Sequence, residues 1–289
     1  MTDVIEALAK CASSARSTLA ADEGKRRFAS DIDPSSREIN YHYNPKGAKN
    51  RFSWQAEVAA YDHFVSDVLS HREQAAKDGP VYVPGRLIGN ERNVKAVAHI
   101  DCLVFDLDVA TPNDLNLVSE KIQAWGLACA IHSTFSYQSG TTSVPTDQFH
   151  AYCAQMDFAP QSREGAKEYL REKKRYPESI VATASVRQPM QQTANGVVTV
   201  LAHEPLFKLR VVFPLGRSYS VVEVMKRGFS EEDVRGRVYV TMLKTVAEEF
   251  GLAYDTACKD VCHCYFAAAY PTGRREQAIA RKMRASACG

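Results

Sequence analysis

The hydrophobic and polar positions change period near the middle of the chain, and the changes predict a strand, a helix and a second strand. Residues 102–108 are Cys-Leu-Val-Phe-Asp-Leu-Asp, an apolar run ending in carboxylates that is typical of a buried central strand. Thr111 and the proline after it predict a helix start, and apolar residues at helical spacing continue to Trp125. Residues 127–133 form the next apolar run. This succession predicts a βαβ unit in a sheet that is at least partly parallel or mixed.

Further periodic segments lie on both sides of this unit. Helices are predicted at 3–20, from Ser53 to the turn Lys77-Asp78-Gly79-Pro80 and at 230–250, and strands at 197–201, 207–214 and 262–268. The segment 138–196 is richer in polar and charged residues, which predicts an insertion or a long excursion from the core.

Together these elements predict an α/β (α+β) fold with a central mixed sheet, flanking helices and a helical N-terminal portion. The sheet is expected to be built around the strands at 102–108, 127–134, 207–214 and 262–268. Three regions follow from this: a helical portion packed on the core at 1–95, the core domain with its excursion at 96–273, and a basic C-terminal tail at 274–289.

The composition indicates a globular protein but does not identify its function. With 45% hydrophobic residues among 289, the chain can bury a sizeable core. Its 36 Lys and Arg residues against 34 Asp and Glu residues leave a net charge of +2, which excludes a simple polybasic binder. Because no apolar run approaches the ~18 residues of a membrane-spanning helix, no membrane partner is expected.

The eight cysteines have no secreted context that would favour disulfides, which predicts reduced thiols and a cytoplasmic location. Their one cluster consists of Cys258, Cys262 and Cys264, with His263 between the last two. This cluster lacks a second ligand pair at normal spacing, which makes zinc a poor candidate for the cofactor.

Asp106 and Asp108 carry the clearest chemical signal. They are two residues apart on the predicted central strand, so their side chains point to the same face. Two carboxylates ~6–7 Å apart repel each other unless a cation neutralises them, and Mg²⁺ or Mn²⁺ favours such oxygen ligands. The pair therefore predicts a divalent-cation centre of the kind that supports phosphoryl transfer, without selecting one reaction.

Two known families share parts of this pattern. The run Val104–Thr111 resembles the first motif of haloacid-dehalogenase-like phosphatases. That resemblance implies a nucleophilic Asp106, an acid/base Asp108 and a second-motif hydroxyl at Ser133 or Thr134. In that family Gly-Thr usually follows the second Asp near the start of the chain, whereas here Val-Ala follows it far from the start.

The second resemblance spans more of the chain. Its motifs occur in one order: Lys77-Asp78-Gly79, Arg92, Phe105–Asp108, Ser133–Ser136, Lys208–Leu215 and Asp255–Asp260. Over roughly residues 75–273, this order is similar to that of the primase-polymerase domains of the archaeo-eukaryotic primase superfamily from phages, prophages and plasmids. The resemblance implies an RRM-like catalytic core within residues 96–273 and a nucleotidyltransferase activity, that of a DNA primase or polymerase. It also implies that the cytoplasm is that of a bacterium or a phage-infected host.

The same resemblance implies roles for individual residues. Asp106, Asp108 and Asp255 would hold two Mg²⁺ or Mn²⁺ ions and form the catalytic centre. The family usually has Ser-x-His in its second motif, whereas this chain has Ser-Thr-Phe-Ser preceded by His132, and Arg210 is the candidate substitute as a forked donor to a triphosphate. The candidate nucleotide-binding residues are Ser133, Thr134, Ser136, Lys208, Arg210 and His263, the last of which stands where the family has an arginine.

Local basic patches are compatible with a nucleic-acid partner. They comprise Lys46, Lys49 and Arg51 beside Phe52 and Trp54, the run Lys173-Lys174-Arg175, and the segment 274–284. Such clusters attract a phosphate backbone, and exposed aromatic rings can stack on bases. The expected partners are a single-stranded DNA template with its primer, an NTP or dNTP, and a separate replicative helicase. A non-catalytic module that binds single-stranded DNA is the alternative.

Overall fold

A computed structural model describes residues 37–48, 52–110, 112–193 and 196–284 of the chain. The strands in these ranges are β1 (Glu38–Asn44), β2 (Gln55–Ala60), β3 (Arg72–Gln74), β4 (Val81–Val83), β5 (Gly85–Leu87), β6 (Val97–Ala110), β7 (Cys129–Ser133), β8 (Ser139–Pro145), β9 (Ser185–Thr193), β10 (Gly196–Ser220), β11 (Tyr265–Phe266), β12 (Ala269–Pro271) and β13 (Ala280–Met283). The α-helices in these ranges are α1 (Tyr61–Val68), α2 (Pro112–Ala124), α3 (Thr146–Gln155), α4 (Arg163–Glu172), α5 (Glu178–Val181), α6 (Val221–Met225), α7 (Glu231–Asp233) and α8 (Tyr239–Phe250). None of them combines the length and the continuous apolar character that crossing a bilayer requires.

The chain divides into two compact units. The described residues of the first unit fall within Met1–Leu107, Asn113–Phe135 and Leu209–Gly289, and the second unit comprises Asp108–Pro112 and Ser136–Lys208. Strands β6 and β10 each contribute residues to both units. The described chain is thus a mixed α/β protein with a multi-stranded antiparallel sheet and several helices.

The main sheet has the strand order β13-β7-β10-β6-β5. Strand β7 pairs antiparallel with both β10 and β13, and β5 pairs antiparallel with β6. The predicted strand, helix and strand are present as β6, α2 and β7, but β6 and β7 are not neighbours, because β10 lies between them. The predicted mixed sheet is wrong in this respect: the pairs of β7 with β10 and β13, and of β5 with β6, are antiparallel. The segment of β10 from Leu209 to Phe213 suits the central place between β6 and β7 because it is apolar except for Arg210, and all of its residues are buried.

A second sheet has the order β11-β4-β1-β2, and its pairs are antiparallel. Aromatic side chains from this sheet and from α1, among them Tyr41, Phe64 and Tyr82, share a core cluster with Val104 and Val212 of the main sheet. Each buried aromatic ring removes a large apolar area from water, worth ~1.5–3 kcal/mol per side chain. A short parallel pair, β3 with β12, lies apart from both sheets.

The N-terminal prediction and one strand prediction differ from the structure. Of the predicted helix from Ser53, residues 55–60 form β2, and the helix begins only at Tyr61, because pairing with β1 along the whole of β2 outweighs the local helical spacing. The helix ends at Val68, and residues 72–74, which were also predicted as helix, form β3. The described residues of 37–95 therefore contain five strands and one α-helix, and the predicted helix at 3–20 lies outside the described residues. Of the predicted strand at 262–268, only residues 265–266 are strand, and they belong to the second sheet.

The second unit has a core of its own. Strands β8 and β9 pair antiparallel with the first half of β10, and α3, α4 and α5 supply apolar side chains such as Phe149, Tyr152, Leu170 and Val181 to one cluster with Leu201. The excursion predicted at 138–196 falls within this unit. The predicted strands at 197–201 and 207–214 are parts of one 25-residue strand, β10.

The predictions for the C-terminal half differ in accuracy. The helix predicted at 230–250 is confirmed as α7, a π-helical segment at Val234–Val238 and α8 in succession. It begins at the Ser230 hydroxyl, which accepts a hydrogen bond from the backbone N–H of Asp233, and ends at Gly251 with a φ of 69°. In the predicted basic tail, residues 280–283 form the edge strand β13, and residues 285–289 lie outside the described residues.

Candidate functional site

A buried ion pair links the two central strands of the first unit. The Arg210 Nε on β10 donates to Asp106 Oδ1 on β6 at 2.6 Å, and its Nη2 donates to Asp106 Oδ2 at 3.0 Å. The Arg210 side chain is 7% exposed and the Asp106 side chain 20% exposed. Two parallel N–H···O contacts of this kind give a carboxylate–guanidinium pair both its strength and a fixed orientation.

The guanidinium of Arg210 is fixed by further contacts. Its Nη1 donates to the backbone carbonyl of Phe266 at 2.5 Å, and its central carbon lies 4.9 Å from the centre of the Tyr265 ring. The Tyr265 hydroxyl in turn donates to the carbonyl of Val104 at 3.2 Å. The second sheet thus supports the arginine with a ring face and a carbonyl oxygen.

Electrostatics keeps both members of the pair charged. Burial by itself raises the pKa of Asp106, but the charge and the hydrogen bonds of Arg210 outweigh burial and leave that pKa below its ordinary value. Burial likewise works to lower the pKa of Arg210, and the Asp106 carboxylate more than reverses this and raises it. The carboxylate is therefore an anion at neutral pH.

The turn around Asp255 lies directly against Asp106. The backbone N–H of Asp255 donates to the carbonyl of Asp106 at 2.8 Å, and the backbone N–H of Asp106 donates to Cys258 Sγ at 3.4 Å. The Asp255 carboxylate accepts a hydrogen bond from the backbone N–H of Ala257 at 3.0 Å, which caps the 3₁₀ turn Thr256–Lys259. The structure thus brings Asp255 to Asp106 through the backbone, with its carboxylate bonded within its own turn.

His263 completes this neighbourhood. Its ring packs edge-on against Tyr265, with 4.7 Å between the ring centres. Burial lowers the pKa of His263, while the charge of Asp106 opposes the shift and that of Arg210 adds to it. His263 is therefore close enough to the ion pair for both charges to act on it, and it is neutral at pH 7.

Asp108 and Lys208 form an ion pair in the second unit. The Lys208 Nζ lies 3.3 Å from Asp108 Oδ1, and their side chains are 22% and 50% exposed. A single contact between partly exposed groups of this kind is weak and sensitive to salt. Both predicted metal-binding aspartates on β6 therefore face a cationic side chain.

The three hydroxyl residues differ in their surroundings. The buried Ser133 Oγ donates to the Gln277 carbonyl at 2.6 Å, accepts from the Ile279 backbone N–H at 2.9 Å and contacts His71 Nε2 at 2.8 Å. This hydroxyl therefore anchors the chain before β13 to β7. Thr134 and Ser136 are partly exposed.

Two residues near the ion pair are absent from the predicted set. His132 is the cross-strand partner of Arg210 and is 1% exposed, and its Nδ1 lies 2.9 Å from the carbonyl of Ser133. Burial, aided by the charge of Arg210, lowers the pKa of His132 to about 3. Tyr82 is fully buried, and the charges of Arg210 and Asp106 both act on its hydroxyl. A histidine within the apolar run 127–133 was the signal that could have identified the first; Tyr82 has no comparable signal.

Other candidate features are only partly assembled. Among the described residues, no three His, Cys, Asp or Glu side chains lie close enough to hold one metal ion together, and this includes the cluster at 258–264. In the basic patches, Trp54 is buried and Phe52 is 59% exposed. Lys49 and Arg51 lie outside the described residues. In the C-terminal segment, Lys282 Nζ is paired with Asp62 Oδ1 at 2.5 Å.

Comparison with protein-family models yields no match, and comparisons with curated proteins and with solved structures yield none either.

Proposed function

We propose that this chain is a nucleotidyltransferase of the primase-polymerase type, which adds nucleotides on a single-stranded template. One observation carries the proposal: a carboxylate and a guanidinium lie against each other at the centre of the main sheet, with the Asp255 turn hydrogen-bonded to the same aspartate. The resemblance to primase-polymerase domains assigns Asp106 and Asp255 to metal binding, and Arg210 is the candidate substitute for the family's second-motif histidine in triphosphate binding. Phosphoryl transfer needs both an anionic site for cations and a cationic site for phosphates.

The carboxylates that would hold a divalent cation are each engaged by another group, and among the described residues no three of them lie close enough together to share one ion. The oxygens of Asp106 already face one cation, the Arg210 guanidinium, and an oxygen of Asp108 faces the ammonium of Lys208. Carboxylate oxygens are the ligands that Mg²⁺ and Mn²⁺ favour. Such ions, when bound, lower the pKa of an attacking hydroxyl and neutralise charge on the reacting phosphorus. Asp106, Asp108 and Asp255 would hold them.

The basic residues of the proposed site would bind phosphate. Arg210 has planar donors suited to a triphosphate, and Lys208 supplies a second cation on the same strand. His263, neutral at pH 7, would donate one hydrogen bond and no charge. Thr134 and Ser136 are the hydroxyls available for such contacts, because the hydroxyl of Ser133 is already bonded to backbone atoms.

The partners that we propose are those expected from the sequence. Single-stranded DNA with a primer and an NTP or dNTP would be the substrates, and a separate helicase would unwind the duplex. The exposed ring of Phe52 and the exposed Lys46, together with the exposed run Lys173-Lys174-Arg175, offer surfaces for stacking and for phosphate contacts. Mg²⁺ or Mn²⁺ would be the cofactor.

Asp108→Asn is the sharpest test of the proposal. The Asp108 side chain is 50% exposed, so its substitution should leave the fold intact while removing a carboxylate needed for catalysis. We expect incorporation of dNTPs or NTPs on a primed and an unprimed single-stranded template, in Mg²⁺ or Mn²⁺, to fall at least ~100-fold relative to the wild type. Asp67→Asn, which changes an exposed aspartate of α1, is the matched control and should retain full activity.

The outcomes separate the alternatives. Template-dependent incorporation that Asp108→Asn preserves would contradict the assigned site. A wild type that makes no product but binds single-stranded DNA in a salt-sensitive way, with the same affinity in Asp106→Ala, would identify a non-catalytic module. Hydrolysis of a simple phosphate ester without template, with Asp106 becoming phosphorylated, would identify a phosphatase.

A further inference from the structure

The Asp106 carboxylate is already occupied by a cation from the same chain. Both of its oxygens accept hydrogen bonds from Arg210. A divalent cation that uses these oxygens must compete with the guanidinium. The first unit therefore contains a competitor for its own proposed metal ligand, held in place by the Tyr265 ring and the Phe266 carbonyl.

We propose that Arg210 is an internal counterion that couples metal binding to nucleotide binding: it neutralises Asp106 in the free protein and transfers to the triphosphate when a metal–nucleotide complex binds. The inference rests on the proposed function and adds the order and the cooperativity of binding. According to this proposal, the protein binds the metal ion weakly when no nucleotide is present. It binds the metal ion and the nucleotide tightly when both are present.

The charges explain why the two ligands would depend on each other. A metal ion alone at Asp106 would leave the 7% exposed guanidinium without an anion, and a triphosphate alone at Arg210 would leave the carboxylate without a cation. Each of these states contains an unpaired buried charge, which is strongly unfavourable. When both ligands bind, every charge has a partner. The affinity for each ligand should therefore rise when the other is present.

Buried polar atoms beside Arg210 support a second position for its side chain. His132 Nδ1 faces a carbonyl oxygen, which can only accept, so this nitrogen carries the proton of the neutral ring and Nε2 is an acceptor. His132 Nε2 is buried without a hydrogen-bond partner, and the buried Tyr82 hydroxyl already lies close enough to Arg210 for the guanidinium to act on it. Arg210 uses three of its five N–H groups in the present position. A guanidinium that leaves Asp106 thus has polar atoms available within its own pocket.

The first experiment measures Mn²⁺ binding in the absence of nucleotide, by calorimetry, for the wild type, Arg210→Met, Asp106→Asn and the double variant. We expect Arg210→Met to bind Mn²⁺ at least ~10-fold more tightly than the wild type, which corresponds to ~1.4 kcal/mol, because Asp106 loses its competitor. The variants that lack Asp106 should lose this binding. Arg235→Met is the matched control: it removes another buried arginine, one paired with Glu231 at 2.9 Å, and should leave Mn²⁺ binding unchanged.

The second measurement is made on the unsubstituted protein, and the variant Arg210→Lys serves only to identify one resonance. The Arg210 Nε–H resonance, identified as the one missing from the NMR spectrum of Arg210→Lys, reports the bond to Asp106. We expect it to stay unchanged with Mg²⁺ alone and to shift with Mg²⁺ and a non-hydrolysable dNTP. A single-stranded oligonucleotide with Mg²⁺ should not reproduce that shift; if it does, the phosphate that receives Arg210 belongs to the nucleic acid and the assignment to nucleotide is wrong.

The possible failures are distinguishable. Equal Mn²⁺ affinity of the wild type and Arg210→Met, with binding lost in Asp106→Asn, overturns the counterion and leaves the proposed metal centre intact. Mn²⁺ binding that does not depend on Asp106 in either background overturns the metal centre and the counterion together. An Arg210 resonance that is unchanged by Mg²⁺ and nucleotide overturns the transfer.

Discussion

Two ion pairs connect the same two strands, and they differ in almost every physical respect. In the first unit, Asp106 and Arg210 are mostly buried and form two hydrogen bonds, whereas in the second unit Asp108 and Lys208 are more exposed and form one contact of 3.3 Å. The residues of each pair are separated from those of the other by two positions on β6 and on β10. The comparison teaches that an identical spacing of charges in sequence can yield one structural pair and one solvated pair.

The largest expected effect is on stability when the buried pair is broken. Asp106→Asn leaves the Arg210 guanidinium buried without its anion and should lower the free energy of unfolding by about 3–5 kcal/mol. Urea denaturation at pH 7, followed by circular dichroism, measures this change. A loss of less than ~1 kcal/mol would mean that the buried pair behaves like a surface pair.

The next effect is the pH dependence of stability that comes from His132, which lies beside the buried pair. The pKa of His132 is about 3 in the folded protein and 6.5 for an ordinary histidine, so the unfolded chain binds a proton that the folded chain does not. Its contribution to stability is complete above pH 6.5 and decreases as the pH falls towards 3, by up to ~1.4 kcal/mol per pH unit.

The matched variant for this effect is His132→Gln, with unfolding measured from pH 7 to pH 4. The lowered pKa of Asp106 acts in the same direction at the acid end, where stability decreases as the pH falls below its ordinary value of 3.8 towards its folded value. Because Asp106 is present in both proteins, the difference in slope between them isolates His132. Equal slopes in the two proteins would show that His132 is not buried as a neutral ring.

A smaller effect is expected when the buried pair keeps its charge but loses its geometry. Arg210→Lys retains a cation, yet an ammonium cannot bridge both oxygens of Asp106 or lie flat on the Tyr265 ring. We expect a loss of about 1.5–3 kcal/mol in the free energy of unfolding, which is smaller than the loss expected for Asp106→Asn. Thermal and urea unfolding at one pH measure it, and a loss equal to that of Asp106→Asn would show that geometry rather than charge dominates.

The smallest effect should come from the exposed pair. Asp108→Asn and Lys208→Met should each change the free energy of unfolding by about 0–1 kcal/mol. Any loss should diminish between 0.05 and 0.5 M salt, because these charges are screened. Unfolding at the two salt concentrations tests this. A salt-independent loss above ~2 kcal/mol would place the exposed pair in the same class as the buried one.

The candidate site shows how far sequence reasoning extends. The apolar run that ends in Asp106 and Asp108 predicted β6. The order of the later motifs predicted that Arg210 and Asp255 belong to the same site. The contact of the Asp255 turn with Asp106 agrees with that grouping. The burial of Ser133 beneath the chain leading to β13 was not predictable, because it depends on a partner more than a hundred residues later.

The fold has the same division. Helices α2 and α8 follow from their spacing, their start signals and the glycine that ends α8. The segment 55–60 was predicted as helix and is a strand. Its partner strand β1 is more than ten residues away in sequence, so the local spacing of apolar residues does not reveal the pairing. The position of β10 between β6 and β7, and the separate core within 136–208, also depend on contacts between distant residues.

The sequence by itself determined which residues share a strand face and where the charges lie along each strand, because both follow from backbone geometry between neighbours. Only the tertiary structure decided that Arg210 bonds to Asp106, that His132 Nε2 and the Tyr82 hydroxyl are buried beside them, and that Lys208 remains near solvent. The physical reason is that the strength of a charge pair depends on its surroundings. Those surroundings are assembled from segments that are distant in the chain.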